Sequence, residues 1–449
     1  MPLTSIRKLR TTYILPDPSS DYAREFIQRI YVAYGIRPIC AYTSPYQRFC
    51  LEREHPILRS TLIEAAHDVQ DWSTFAAAIR DRYHVVGVIP HVETVVEVAA
   101  TLCECLNIDW NPPALIRIFR DKVKLKRHLA TAGIRVPLFR AVESPDDLIE
   151  AKLPDRYVLK PVNGYGNRMI GVFDRGELEA ARRHLDYEPE VRWMLEEFIA
   201  GPEFSINGQV RTGGEVEIYG ITEYRRCTVG GCHTVYDHEF LCPTTHPRFQ
   251  ELLDFAVATM KATGLRRSPF HLEAIVDTRG PCVIDLGARL GGGLADLMSL
   301  AHPELPDVLT IAAHDYIEPN DLALGRVRWD RHDQRLTMTV YGLAEQRTVI
   351  HSLYGLRQIE AMPQFLRWHI RPAIGDKVYP THQLYSTPYW LDVWAPDNEA
   401  ERIALVERIR GTIGWNDRPS RVAEWLALLR RKASRLPHRL LWLLHRVGR

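Results

Sequence analysis

The stretch that decides the fold is residues 270–293, FHLEAIVDTRGPCVIDLGARLGGG. Two β-rich apolar runs, FHLEAIVD and PCVIDLG, are joined by the turn residues DTRG, which predicts a hairpin. Glu273 lies in the first run and Asp285 in the second. A carboxylate in an apolar run is costly unless it is paired or bound to a metal. Opposed on a hairpin, the two acids can share hard divalent cations, which favour carboxylate and phosphate oxygens. Arg289, four residues after Asp285, can reach the same space. The competing reading is a buried acid–arginine salt bridge. Against it, two buried acids on facing strands repel one another without a cation.

Upstream, YVLKPVNGYGNRMIGVF (157–173) delivers Lys160 on a strand, then a loop with Gly164 and Gly166, then a second strand. Glycines let backbone N–H groups turn toward a phosphate, and a nearby lysine supplies a point charge. The loop is neither GxxxxGK[ST] nor GxGxxG, and a hairpin turn explains it equally well. Between the two motifs, MLEEFIAGPEFS (194–205) ends a strand in Glu196 and Glu197, then places Phe198 and Ile199 before a turn that presents Glu203. An adenine ring needs an apolar slot with a backbone donor and acceptor at its edge, and a ribose needs a carboxylate. Residues 197–199 and Glu203 supply both, although a solvated acidic turn would carry the same residues.

The composition excludes several other classes. In 449 residues, 46% are hydrophobic, 25% are charged and the net charge is +1, which suits a globular protein with large cores and gives no global reason to expect nucleic acid as a partner. The eight cysteines form no regular framework and are expected to be reduced. Cys227, Cys232, His233 and Cys242 match no standard zinc-finger spacing. No signal peptide is visible after Arg7, Lys8 and Arg10, and the apolar runs fall far short of the roughly 20 residues that span a bilayer, so a cytoplasmic protein is expected.

Strands and helices alternate over residues 11–110, from TTYILP to YHVVGVIP and the helix ETVVEVAATLCECLNI, which predicts an open α/β unit. Pro112 and Pro113 then introduce one basic amphipathic helix, closed by Gly133. Residues 150–300 are richer in strands, an α+β pattern with mainly antiparallel pairing, and a further mixed segment runs to about 415. Residues 418–449 differ in kind, with nine Arg/Lys against the single acid Glu424 around EWLALL and LLWLL. Two short basic helices fit that tail, as a contact with an anionic membrane surface or a protein, or as helices packed on their own domain.

The order of parts, a lysine with a glycine loop, a hinge with an acid, and paired acids with a trailing arginine, falls within about 130 residues. In this order the chain resembles the ATP-grasp superfamily, and within it the carboxylate–amine ligases such as the L-amino-acid (dipeptide) ligases. The resemblance covers residues 10–400 and is most specific over 119–295. It implies an ATP-grasp fold, α/β and α+β, with an N-terminal open α/β (pre-ATP-grasp) domain over 1–112. A small subdomain with linker helix and phosphate loop would occupy 113–200, a large subdomain with a mixed extension 201–415, and the helical tail 416–449.

Carried over by position, the resemblance implies that Lys122 and Lys160 touch ATP phosphates beneath the Asn163–Arg168 loop. Glu196 joins the nucleotide site, Glu197, Phe198 and Ile199 meet adenine, and Glu203 meets ribose. Glu273 and Asp285 hold Mg²⁺, with Mn²⁺ as an alternative, and Arg289 steadies the transferred phosphate or tetrahedral intermediate. Gly291–Gly293 let the backbone approach the substrate. Many relatives place an asparagine two residues after the second acid as a further metal ligand; here that residue is Gly287. The variable segment 222–247 offers Arg225 and Arg226 for a carboxylate and His233 as a base. The implied activity is an ADP-forming C–N ligase that makes an amide or peptide bond through an acyl phosphate. The alternatives are a carboxylase or purine-pathway-type synthetase, and a non-catalytic ATP-binding protein. ATP, a small carboxylate and an amine are the expected partners, and a homodimer is consistent with the resemblance.

Overall fold

A computed structural model describes residues 9–416 apart from 19, 47, 50–61, 145, 151–153, 165, 167–168, 187–189, 293, 302–306, 319–332 and 334. The basic tail, with the surface contact expected of it, lies outside the described residues, as do Gly293 and three positions of the 163–168 loop.

Strands β1 (Arg10–Pro16), β2 (Arg37–Tyr42), β3 (Ala65–Asp68) and β4 (Tyr83–Val88) form a parallel sheet in the order β3-β2-β1-β4. Tyr13, Ile14, Leu15, Ile39, Cys40 and Ala41 are wholly buried, as expected where helices cover both faces of a parallel sheet. Helix α1 (Asp21–Tyr34) starts where the Ser20 side chain accepts from the Ala23 N–H and stops at left-handed Gly35. Helices α2 (Trp72–Arg80) and α3 (Val96–Leu106) follow. The unit is the open α/β arrangement expected, and among the described residues it also carries β3 and α2, which the sequence pattern does not reveal.

The single basic helix expected after Pro113 is two: α4 (Pro113–Arg120) and α5 (Lys122–Thr131). Asp121 breaks it, because its backbone is extended and its carboxylate accepts from the Lys124 N–H at 3.0 Å, an N-cap that starts a new helix. The restart sets Lys122 in the first turn of α5.

A second sheet joins β5 (Phe139–Val142), β6 (Arg156–Pro161), β7 (Gly171–Asp174) and β8 (Trp193–Glu197) in the antiparallel order β5-β8-β6-β7. The third is built from β9 (Glu203–Val210), β10 (Val216–Val229), β11 (Cys232–Leu241), β12 (Ser268–Asp277), β13 (Gly280–Gly287), β14 (Thr337–Tyr341), β15 (Phe365–Ile370) and β16 (Trp390–Trp394). Its order is β13-β12-β9-β10-β11-β14-β16-β15, antiparallel throughout. One apolar core runs from the parallel sheet into this large one, and the Trp110 indole N–H donates to the Arg267 carbonyl at 2.8 Å across the join. Among the described residues no helix is long and apolar enough to cross a membrane.

Strand β12 shows how the fold presents chemistry. Side chains alternate along a strand. Phe270, Leu272, Ala274 and Val276 enter the core, and His271, Glu273 and Ile275 line a cavity on the other face.

Candidate active site

The cavity has a volume of about 740 Å³ and lies where β6, β8, the 197–203 segment, β10 and the β12–β13 hairpin converge. Lys122, Lys160, Gly164, Gly166, Glu196 through Ile199, Glu203, Arg225, Arg226, His233, Glu273, Asp285 and Arg289 line it, whereas Gly291 and Gly292, expected to let the backbone approach the substrate, are not among its lining.

Glu273 and Asp285 stand directly opposite one another in the β12–β13 register. A bulge follows at once, since Ala274 pairs with Val283 and leaves Ile284 as the extra residue. The carbonyl of Ile284 is then free to accept from two lysines, Lys126 Nζ at 3.0 Å and Lys160 Nζ at 3.1 Å. Lys122 Nζ donates to Asp285 Oδ2 at 2.5 Å. Burial works to raise the Asp285 carboxyl, but Lys122 and Lys160 outweigh it and hold the group well below the usual carboxylate range. Burial also opposes charge on Glu273, and the hydrogen bond from His271 at 3.2 Å brings its carboxyl below the ordinary value.

Glu196 proves to be a keystone between lysines. Its Oε1 lies 2.6 Å from Lys160 Nζ and its Oε2 lies 3.1 Å from Lys126 Nζ. Lys126, which the sequence reading passed over, is 1% exposed and donates to the Val283 carbonyl at 3.1 Å. Burial pushes the Lys126 amine down to about 8 despite Glu196. Its place four residues after Lys122 on one helix face was the available signal. Three lysines (122, 126, 160) thus balance three carboxylates (196, 273, 285) around one hairpin.

Arg289 turns to a partner that sequence order hides. Its Nε donates to Glu93 Oε2 at 2.6 Å, and Glu93 Oε1 accepts from Arg120 at 2.7 Å. Glu93 belongs to the parallel-sheet unit and lines the cavity. Burial raises its carboxyl, but Arg289 and Arg120 bring it below the ordinary range. A Cβ built on Gly287 would lie 3.1 Å from Glu93 Oε2. The glycine that stands in place of an expected metal ligand is therefore where the Glu93–Arg289 pair closes in.

The positions expected to meet the nucleotide edge and the substrate are more committed than the sequence implies. The N–H groups of Glu197 and Phe198 donate to the Leu138 and Arg156 carbonyls at 2.8 and 3.2 Å. The Glu197 carboxylate meets Arg279 at 2.9 Å. Ile199, 4% exposed, remains at the cavity wall. Glu203 receives the Arg226 guanidinium on both oxygens, with Nε at 2.9 Å from Oε2, and that guanidinium sits 3.6 Å over the Tyr236 ring. Arg225 bridges Glu223 at 3.0 Å and Glu399 at 2.6 Å, and His233 Nδ1 is 3.0 Å from Thr228 Oγ1. Cys232 Sγ is 3.5 Å from both Thr234 Oγ1 and the His382 carbonyl. Among the described residues no three His, Cys, Asp or Glu side chains come close enough to hold a metal ion by themselves.

A hydrogen-bonded chain of side chains runs from the acid pair across the large sheet. His271 Nδ1 is 2.9 Å from Asn207 Oδ1, Asn207 Nδ2 donates to Ser205 Oγ at 3.1 Å, and Ser205 Oγ is 2.8 Å from Thr222 Oγ1. Thr222 donates to Glu239 Oε1 at 2.6 Å, and the Tyr341 hydroxyl donates to Oε2 at 3.3 Å. Burial pushes the Glu239 carboxyl up to about 7 from 4.5. A raised carboxyl binds its proton more tightly in the folded than in the unfolded chain. Stability should therefore fall as pH rises from about 4.5 through about 7 and level off above, a loss of about 3 kcal/mol from this group. Glu239→Gln is expected to flatten that fall, read from urea unfolding between pH 4.5 and 8; an unchanged pH slope would rule Glu239 out as its source.

Residues 154–296 match the family model described as an ATP-grasp domain. The chain is 28% identical over 223 residues to the uncharacterized protein y4rH of Sinorhizobium fredii, across 47% of this chain and 44% of that protein. It is 25% identical over 224 residues to dapdiamide A synthase of Enterobacter agglomerans, across 47% and 52%. The chain thus spans about half the length of the curated relatives it matches. Its structure resembles that of an L-amino acid ligase from Bacillus licheniformis with a TM-score of 0.69 and 18% identity, covering 90% of this chain and 98% of that one. The chain has the ATP-grasp fold and carries an ATP-grasp domain over residues 154–296.

Proposed function

We propose that the protein is a cytoplasmic, ADP-forming ligase that joins a carboxylate, on an amino acid, to an amine. The observation that carries this reading is the convergence of Glu273 and Asp285, in register on one hairpin, with Lys122, Lys160 and Arg289 at a single cavity. The names of dapdiamide A synthase and the L-amino acid ligase support the same chemistry. In this reading the domain boundaries are those of the sequence analysis: 1–112, 113–200, 201–415 and 416–449.

The residues present fit ATP and a divalent cation. Glu273 and Asp285 would hold Mg²⁺, or Mn²⁺ in its place, and the cation would neutralise charge on the phosphate oxygens. The chain does the rest by positioning. Lys160, fixed by Glu196 and the Ile284 carbonyl, aims one charge at the phosphate side of the cavity. Lys122, which balances Asp285, can pass to a phosphate when a cation takes over that carboxylate. Gly164 and Gly166 line the same side, and Ile199 borders the adenine end with Glu203 beyond it. Arg289, oriented by Glu93, faces the region where the substrate carboxylate would be activated. Arg225, Arg226 and His233 form the substrate wall. Because Glu203 and Arg226 are already clasped, we assign Arg226 to ordering that wall rather than to gripping a free carboxylate.

ADP release should be followed with ATP and Mg²⁺ against amino acids singly and in pairs. Release that requires a pair of amino acids is the expected result. Release that requires bicarbonate would replace the reading with a carboxylase, and no release with any acid or amine would remove it.

A further inference from the structure

The hydrogen-bonded chain behind the acid pair has a direction, and that direction sets the state of His271. Asn207 Oδ1 accepts the Gly291 N–H at 3.2 Å, and Asn207 Nδ2 donates to Ser205, so the oxygen of this amide is the atom turned toward His271. His271 Nδ1, 2.9 Å from that oxygen, must then carry a hydrogen. Metal-binding histidines are typically held in this way, one ring nitrogen donating to an oxygen so that the other faces the metal. Gly291 is part of the device, since a Cβ there would collide with His271 Nδ1 and Asn207 Oδ1.

The other nitrogen, Nε2, faces Glu273 Oε1 at 3.2 Å. Two electron-rich atoms at that separation need positive charge between them, either a proton or a metal ion. In octahedral coordination with bonds of about 2.1 Å, neighbouring ligand atoms stand about 3.0 Å apart, close to the observed separation. His271 lines the cavity, and its partner in the β12–β13 register is Gly287, which has no side chain. The imidazole is therefore the side chain that this part of the hairpin offers to the space beside Glu273.

We propose that His271 Nε2 and Glu273 Oε1 are the two protein ligands of one divalent cation whose other ligands are phosphate oxygens and water, the imidazole supplying the protein ligand that Gly287 does not. The inference rests on the reading of this cavity as a cation–nucleotide site. Imidazole favours first-row transition ions over Mg²⁺, so the site should prefer Mn²⁺ to a degree that an all-oxygen site does not.

The test uses the full chain with ADP and Mn²⁺, read by pulsed electron paramagnetic resonance. The expected result is ¹⁴N modulation from a directly coordinated imidazole, converted to a ¹⁵N pattern when the histidines alone are ¹⁵N-labelled. His271→Asn should remove the modulation, weaken Mn²⁺ binding in the presence of ADP by at least about tenfold, and narrow the Mn²⁺-over-Mg²⁺ preference. The labelling arm needs no substitution, so a poorly folding variant does not blunt the test. Mn²⁺ bound without histidine nitrogen would overturn the inference, make His271–Glu273 a proton-bridged pair and leave the cation–nucleotide reading standing. Failure of Mn²⁺ to bind with ADP at all would overturn both.

Discussion

Glu273→Gln is expected to lower ADP release by about 10²–10³-fold while the protein still folds. The amide keeps the size of the carboxylate and a hydrogen-bonding group toward His271, and it relieves the repulsion from Asp285 across the hairpin. The fold should therefore tolerate it. What is lost is a charge that the buried site needs only when a cation and phosphates are present. ADP release under saturating ATP, set beside the thermal unfolding transition, separates the two effects. Near-normal release would dismiss Glu273 as a metal ligand and with it the centre of the site.

The second large effect belongs to a residue outside the cavity. Lys126→Met is expected to destabilise the protein by about 3–5 kcal/mol, the usual result of removing one member of a buried ion pair. The substitution retains most of the apolar stem. It leaves Glu196 on Lys160 alone, strips a donor from the Val283 and Ile284 carbonyls, and leaves the three carboxylates facing two lysines. Adding Glu196→Gln to Lys126→Met should recover part of the loss, a coupling that urea unfolding of the four-member cycle would measure. Additive losses would show that Lys126 acts through packing rather than through Glu196.

Much of this was legible in the sequence where the signal is local. The β12–β13 hairpin and the opposition of Glu273 and Asp285 follow from strand period and turn residues. Strand β3 escaped because AAHD is four residues long and only partly buried, too short to show a period. The break at Asp121 escaped because LIRIFRDKVKLKRHL keeps a helical rhythm through the cap, and only the extended backbone reveals it. The site divided in the same way. Lys160, Glu196, Glu197, Glu273 and Asp285 could be singled out because each motif carries its own pattern, and they line one cavity. Glu93, Lys126 and the Asn207–His271 contact went unread because each gains its meaning from a partner at least 64 residues away. The pairing of Glu203 with Arg226, 23 residues apart on neighbouring strands, was hidden as well, and it changed the role assigned to Arg226.

The contact between Glu93 and Arg289 spans 196 residues of chain. At a synthesis rate of about 5–20 residues per second, roughly 10–40 s pass between the emergence of the acid and that of its arginine. Over that interval Arg120, Lys122, Lys126 and Lys160 are all made before the hairpin that carries Glu273 and Asp285. The lining of the cavity is complete only once Arg289 has been made, and the contact that joins it to Glu93 carries a high loop-closure cost.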